Sequence, residues 1–256
     1  MTKEKVEEFY DILSEHYEID HSTRFVDNVF EHFLYRYLPK QKNIKILDAG
    51  GGIGRFSFPL AKKGHLITLT DISIGMLNKA KKIASNCELE TVKFFKESVT
   101  DMKNQEDNSF DLVLMMNGVL DYCRDHKKAL KEVYRVLKKS GILIGTVNNR
   151  FIYATINVLL EEKKIEEFKK TFETGNMFKK FPIHNFTSEE LKEELINAGF
   201  EIIDILGPTN LLRKWEYESI VNKDNEEKLL SLQIEFAKKK EYLNNSTDFL
   251  FIAKKL

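Results

Sequence analysis

Apolar residues recur at three- and four-residue steps through the first forty positions. Val6, Phe9, Tyr10, Leu13 and Tyr17 form one stripe, and Phe25, Val26, Val29, Phe30, Phe33 and Leu34 form another after a polar break at 20–22. That spacing is the signature of helices with one buried face. Pro39 closes the helical preface.

From residue 44 the rhythm changes. Short β-rich runs at 44–47, 66–70, 91–95, 110–116 and 141–147 alternate with helical stretches that end at Lys62 and span 74–84 and 127–137. Pro59 falls in the first turns of the first of these helices. The alternation predicts right-handed βαβ crossovers and a parallel sheet covered by helices on both faces. The apolar run 112–116 fits a strand buried on both sides.

Over 148–185 the alternation stops, and a polar, aromatic-bearing stretch carries helical pieces such as 152–168. Thr187 and Glu190 then have the spacing of a capping box. A helix runs from there to Ala198, with Gly199 as its stop. A sixth strand at 200–206, a charged amphipathic helix at 224–242 and a last strand at 249–253 complete the chain. The expected fold is α/β: a doubly wound, mostly parallel seven-stranded sheet with helices on both faces and a helical cap. One domain over 1–256 is expected, its cap built from 1–40 and from the insertion 148–185.

Composition narrows the function. At 256 residues, 42% hydrophobic and 31% charged, the chain can bury a large core. Forty basic residues balance forty acidic ones, which argues against nucleic acid as the main partner. Two cysteines, Cys87 and Cys123, are too few for a four-cysteine zinc site or a disulfide framework. No metal is expected, and the setting expected is reducing and cytoplasmic. No apolar leader or run of about 18 apolar residues occurs, so neither a signal peptide nor a membrane span is expected.

The candidate chemistry lies where the first strand runs into glycines. Asp48-Ala49-Gly50-Gly51-Gly52-Ile53-Gly54-Arg55 fits neither common phosphate loop. A dinucleotide fingerprint needs G-x-G-x-x-G, and Arg55 or Ile53 stands where a glycine is required. A P-loop needs Lys then Ser or Thr after its last glycine, and Arg55-Phe56 stands there. The pattern present is D-x-G-x-G-x-G, on Asp48, Gly50, Gly52 and Gly54.

That pattern resembles motif I of the class I S-adenosylmethionine (SAM)-dependent methyltransferases. Further landmarks follow in order: Asp71 at the end of the second strand, 110–121 as motif IV and the exit of strand four, 129–141 as the helix and turn before strand five, and the Phe186-Thr187 … Ala198-Gly199-Phe200 segment. The resemblance covers 48–206 and agrees with the terminal strand, which it implies inserts antiparallel. Within the family the chain looks most like the broad small-molecule branch.

The resemblance implies SAM as cofactor and S-adenosylhomocysteine as product. It places Asp48, Gly50, Gly51, Gly52 and Gly54 at the methionine end, where loop N–H groups meet the carboxylate. Asp71 accepts the ribose hydroxyls and Ile72 packs on adenine. The plain alternative for Asp71 is an N-cap for the following helix, and the two roles are compatible. Ser98, where the family has Asp, and Val99 face adenine, although serine lacks the acid's charge. Asn117 sits at the strand-four exit, and Tyr17 and Arg24 close over the methionine end. Asp121, Tyr122, Asn149, Tyr153 and His184 are expected in the acceptor pocket, with Tyr10, His21 and Trp215 as further candidates. His184 is the best-placed general base, the alternative being a loop histidine bonded to backbone.

His16, His32, His65 and His126 read as surface, and Cys123 as an inert thiol. Lys238–Lys240 reads as a solvated face and the phenylalanines of 25–33 as core. No Asn-Pro-Pro-Tyr or Pro-Cys follows strand four, which removes the amino-methylating adenine and glutamine branches and the pyrimidine C5 branch. The expected acceptor is a small molecule methylated at O or N. An RNA or protein methyltransferase, a non-catalytic SAM-binding protein and an aminopropyl transferase are the alternatives. The oligomeric state is open.

Overall fold

The computed structural model describes residues 3–156, 164–178, 182–213 and 216–256. At the centre of the main sheet, β1 (Lys45–Ala49) pairs in parallel with β2 (Leu66–Asp71) and β4 (Phe110–Met115). β3 (Lys93–Lys96) extends the sheet beyond β2, and β5 (Leu137–Asn148) beyond β4, both in parallel. The last strand, β9 (Asp248–Lys255), runs antiparallel between β5 and β8 (Phe200–Leu206). The seven-strand order is β3-β2-β1-β4-β5-β9-β8. This is the α/β sheet expected, reversed last strand included.

Alternation along the central strands makes two cores. Ile46, Leu112 and Leu114 join the layer containing Phe33, Leu60 and Leu77. Leu47 and Val113 join the opposite layer, with Leu130, Val133 and Leu195. A strand points successive side chains to opposite faces, so covering both faces demands apolar residues at nearly every position. The helices of the first layer are α2 (His21–Tyr37), α3 (Ser57–Lys62) and α4 (Ile74–Asn86). Those of the second are α6 (His126–Val136) and α9 (Ser188–Asn197). The 25–33 phenylalanines are core, as their spacing implied: Phe25 and Phe33 are fully buried.

Around the carboxyl ends of the parallel strands lie α1 (Lys3–His16) and the short α5 (Val119–Tyr122) and α7 (Arg150–Tyr153). α8 (Ile165–Thr174) follows, then a separate two-stranded ribbon of β6 (Asn176–Phe178) and β7 (Pro182–His184). The insertion is therefore not purely helical. Of the helix expected at 152–168, the structure describes α7 and α8 at its two ends, while 157–163 lies outside the described residues, as does Trp215. α10 (Tyr217–Ile220) and α11 (Glu226–Ala237) precede the last strand. The helix expected to reach Tyr242 stops at Ala237, and a 3₁₀ turn at Lys240–Asn245 carries the chain on.

The capping box is half formed. Thr187 Oγ1 accepts from the Glu190 N–H at 3.0 Å, but the Glu190 carboxylate goes to His184 and Arg150 instead of back to Thr187. His65 is also corrected: it is buried beneath α3, at 7% exposure, and burial lowers its pKa. No helix among the described residues is long and apolar enough to cross a membrane.

Candidate SAM site

The glycine loop is tied to the neighbouring strand. The N–H groups of Gly50 and Gly51 both donate to the Thr70 carbonyl, at 2.8 and 3.0 Å. Gly52 N–H donates to Asp71 Oδ2 at 2.9 Å, and Gly54 N–H to the Gly51 carbonyl at 2.9 Å. All four glycine amides are thus engaged within the protein, contrary to the expectation that they serve a ligand carboxylate. Gly51 has no room for a side chain, because a Cβ there would lie 2.5 Å from the Asp48 carboxylate carbon. Gly52 is different. Its φ is +54°, and a Cβ would meet nothing within 4 Å.

That open side faces a cavity of about 830 Å³ over the strand ends. Asp48, Gly50, Gly51 and Gly52 line one wall, and Asp71 and Ile72 the next. Ser98 and Val99 follow, and Asn117 and Tyr122 lie across from them. Tyr17 is on the rim formed by the N-terminal segment. Arg55 and Arg124 are the cationic side chains among the described lining residues.

Two buried carboxylates dominate the floor. Burial pushes Asp48 up to about 6, with the Asp71 charge adding to the shift. Burial also raises Asp71, opposed by hydrogen bonds from backbone N–H groups, including Ser73 and Gly52. Asp71 does not cap α4: Ser73 does, its hydroxyl accepting from Met76 N–H at 3.0 Å. Asp71 Oδ1 accepts from Ser73 N–H at 2.8 Å. Ser73 and Gly52 each hold one Asp71 oxygen and the Ile72 N–H also bears on the carboxylate, whose four or so acceptor sites leave capacity for a further donor.

The lid over this floor is α1. Asp11 Oδ1 accepts from the Ser73 hydroxyl at 2.6 Å and from Gly75 N–H at 2.9 Å. Lys79 Nζ donates to the carbonyls of Ser14 and Tyr17 at the other end of the helix. Tyr10 thereby lines the cavity, with its ring edge-on to Tyr122 at 6.1 Å. Burial raises the Tyr10 pKa well above its ordinary value.

A second chamber of about 520 Å³ adjoins the first and shares Tyr17, Arg55 and Asn117 with it. Tyr153 and Asp248 lie on its wall. Asn117 has φ +60° and donates from its N–H to Thr146 Oγ1 at 2.7 Å. That turn at the end of β4 puts it between the two spaces.

A family model described as a methyltransferase domain matches residues 40–199. The chain belongs to this methyltransferase family. Sheet order and glycine loop make it a class I, Rossmann-like, SAM-dependent member. The tRNA 5-carboxymethoxyuridine methyltransferase of Escherichia coli K12 is 29% identical over 103 residues, covering 40% of this chain and 39% of that protein. The chain thus spans about two fifths of that relative's length. A ubiquinone/menaquinone biosynthesis C-methyltransferase of Rickettsia bellii is 38% identical over 183 residues, 63% of this chain and 70% of the relative. The crystal structure of the [4+2]-cyclase SpnF superposes with a TM-score of 0.66 at 18% identity, covering 99% of this chain and 96% of that one. At that identity the likeness carries the fold alone.

Several residues expected in the site of this methyltransferase sit elsewhere. Arg24 is exposed on α2 and lines neither space. Gly54 stands behind the loop, where a Cβ would lie 2.5 Å from the Phe58 ring. Asp121 is buried behind the wall, and its Oδ1 accepts from Asn148 N–H at 3.0 Å. Asn149 is consumed by structure: it caps α7 through Oδ1 and donates to the carbonyls of Asn244 and Ser246. His184 lines neither space either. Its Nε2 is 2.9 Å from Glu190 Oε1, Nδ1 is 3.2 Å from Asn176 Oδ1, and its ring stacks on His126 at 5.0 Å. His126, expected to be solvated, is half-buried in this stack. Cys123 lines the first cavity, and burial holds its thiol up at about 11, the inert form expected.

The sequence reading did not single out Arg55, Glu97, Asp27 or Asp248. Glu97 lines the first cavity one residue before Ser98. Its carboxylate accepts from Asn104 N–H and Gln105 Nε2. Asp248 had a usable signal. An antiparallel final strand begins where the parallel strands end, so its first residue reaches the same edge of the sheet.

Proposed function

We propose that this chain transfers the methyl group of SAM to a nitrogen or oxygen atom of a small-molecule acceptor. The observation that carries this reading is the pair of adjoining spaces walled in common by Tyr17, Arg55 and Asn117. The first is of the size and lining expected for a cofactor. The second, about 520 Å³, lies within the range of small-molecule pockets.

The residues present fit SAM. Asp71 has acceptor capacity for ribose hydroxyls, Ile72 and Val99 offer apolar surface to adenine, and open space above Gly52 admits a ligand close to the backbone. With the glycine amides engaged, Arg55 and Arg124 are the groups that would meet the methionine carboxylate. Bound SAM supplies an activated methyl on a sulfonium, so the protein's task is alignment more than acid–base work. Tyr10, Tyr17 and Tyr122 line the first cavity and offer ring surface to positive charge. In this reading, 1–40 and 148–185 form the cap of a single catalytic unit.

The E. coli relative's name favours a second reading, with RNA as acceptor. The two separate in one assay. Methyl-labelled SAM is incubated with the protein and with either a small-metabolite fraction or total tRNA. Label entering the metabolite fraction supports the proposal; label entering tRNA alone refutes it.

A further inference from the structure

The lining of the second chamber bears on the class of acceptor, an inference that rests on the function proposed above. Among its described lining residues are three carboxylates, from Glu18, Asp27 and Asp248, and one cation, Arg55. Asp27 already holds Arg55, Oδ2 to Nε, at 3.3 Å. One Arg55 donor is thus engaged, and carboxylates outnumber the cation three to one on the described wall of this chamber.

Asp248 is the acid whose hydrogen bonds gather on one oxygen. Its Oδ2 accepts from the Thr247 hydroxyl at 2.8 Å and from the Thr209 hydroxyl at 3.5 Å, which leaves Oδ1 to face the chamber. Asp121 stands close by. Its Oδ1 takes the Asn148 N–H, and Asn148 is the register partner of Asp248 across β5 and β9. The other Asp121 oxygen, Oδ2, is buried without a hydrogen-bond partner among the described residues. Two carboxylates thus flank one backbone position in an enclosed region. Such groups are strongly disfavoured as anions unless a cation or donors reach them.

The remaining surface suits the organic body of a cation. Tyr17 and Tyr153 bring aromatic rings, which attract positive charge, and Val26 and Ile152 bring apolar surface. We propose that this chamber takes an acceptor carrying a protonated amine, with Asp248 receiving the ammonium and Tyr17 and Tyr153 beside it. An acceptor bearing a carboxylate at the same place would face Asp248 and is excluded.

Calorimetry on the protein saturated with S-adenosylhomocysteine tests this without any turnover. The probes are a set of alkyl- and arylamines, including 2-phenylethylamine, with the matching alcohols and carboxylic acids. The expected result is binding by amines and none by acids. Asp248→Asn should weaken amine binding by about tenfold or more, the loss of a charge-assisted contact. Asp248→Glu should restore part of it, and S-adenosylhomocysteine affinity should be unchanged in both variants. Acids binding as well as amines, no amine binding at all, or unchanged amine affinity in Asp248→Asn would each overturn the inference. Failure of S-adenosylhomocysteine itself to bind is a separate outcome, which defeats the cofactor reading and the inference with it.

Discussion

Lys79 donates from Nζ to the main-chain carbonyl of Tyr17 at 2.7 Å. The helix that follows Asp71 is thereby fastened to the end of the helix that covers it. A lysine at the C-terminal end of α1 also matches the sign of the helix dipole there. The other end of the fastening needs a glycine. A Cβ at Gly75 would lie 2.4 Å from Ser14 Oγ and 3.1 Å from the Asp11 carbonyl oxygen. The position of Tyr10 and Tyr17 over the cavity thus depends on Gly75 and Lys79 of α4, which line neither of the two spaces.

Lys79→Met and Gly75→Ala should therefore loosen α1 while leaving the sheet intact. Two hydrogen bonds from a charged donor are lost in the first, of order 2 kcal/mol in total. SAM affinity should fall about tenfold or more, and hydrogen exchange should quicken over residues 3–17 alone. Unchanged exchange there would show that α1 is held by its apolar face and not by this latch.

Gly52 and Gly54 should respond differently to alanine. At Gly52 the added methyl meets open space, and only the positive φ of +54° resists it, at about 1–2 kcal/mol. The variant should fold and lose SAM binding, because the methyl enters the cavity. At Gly54 the methyl collides with the Phe58 ring, so Tm should fall by more, with affinity lost only through instability. Equal losses of Tm in the two variants would contradict this division.

Asp48 and Asp248 are both pushed up to about 6 by burial. Unfolded, they return to the usual carboxylate value near 4. Between about pH 4 and pH 6 the native state therefore binds more protons than the unfolded state, and these two groups make stability fall as pH rises through that window. In the cofactor-free protein, Asp48→Asn and Asp248→Asn should each flatten the slope. Relative to wild type, each variant should gain stability between pH 4.5 and pH 7 in urea titrations. Parallel pH profiles would remove the buried-carboxylate account.

His184 should prove structural. Its hydrogen bond with Glu190 joins β7 to α9, and Pro182, two residues earlier, lines the first cavity. A double-mutant cycle of His184→Ala with Glu190→Gln should give a coupling of about 1 kcal/mol in stability. A pH–rate profile that loses its lower limb in His184→Gln would instead restore it as the general base.

The sequence carried the sheet well because strands buried on both faces must be apolar throughout, and Leu112–Met116 could be little else. It carried Asp48, the glycine loop and Asp71 because backbone turns and strand ends fix them locally. It failed where a side chain had rival partners. Glu190 was read as a reciprocal cap, yet Arg150 and His184, distant along the chain or on a different element, claim its carboxylate. Asn149 looked available for a ligand, yet the loop before β9 takes both its amide donors. Asp248 was passed over because nothing local to it signals a site. Its place on the wall of the second chamber comes from the reversed direction of β9.

The most direct test of the central claim is calorimetric binding of SAM and S-adenosylhomocysteine to the wild type and to Asp71→Ala. Asp71 Oδ2 holds the Gly52 N–H, so a melting curve for the variant separates lost contact from lost fold. The account predicts micromolar binding by the wild type and a loss of about tenfold or more in a variant that still melts cooperatively. Failure of the wild type to bind either compound would contradict the account. Equal affinity in the variant would remove Asp71 from the site.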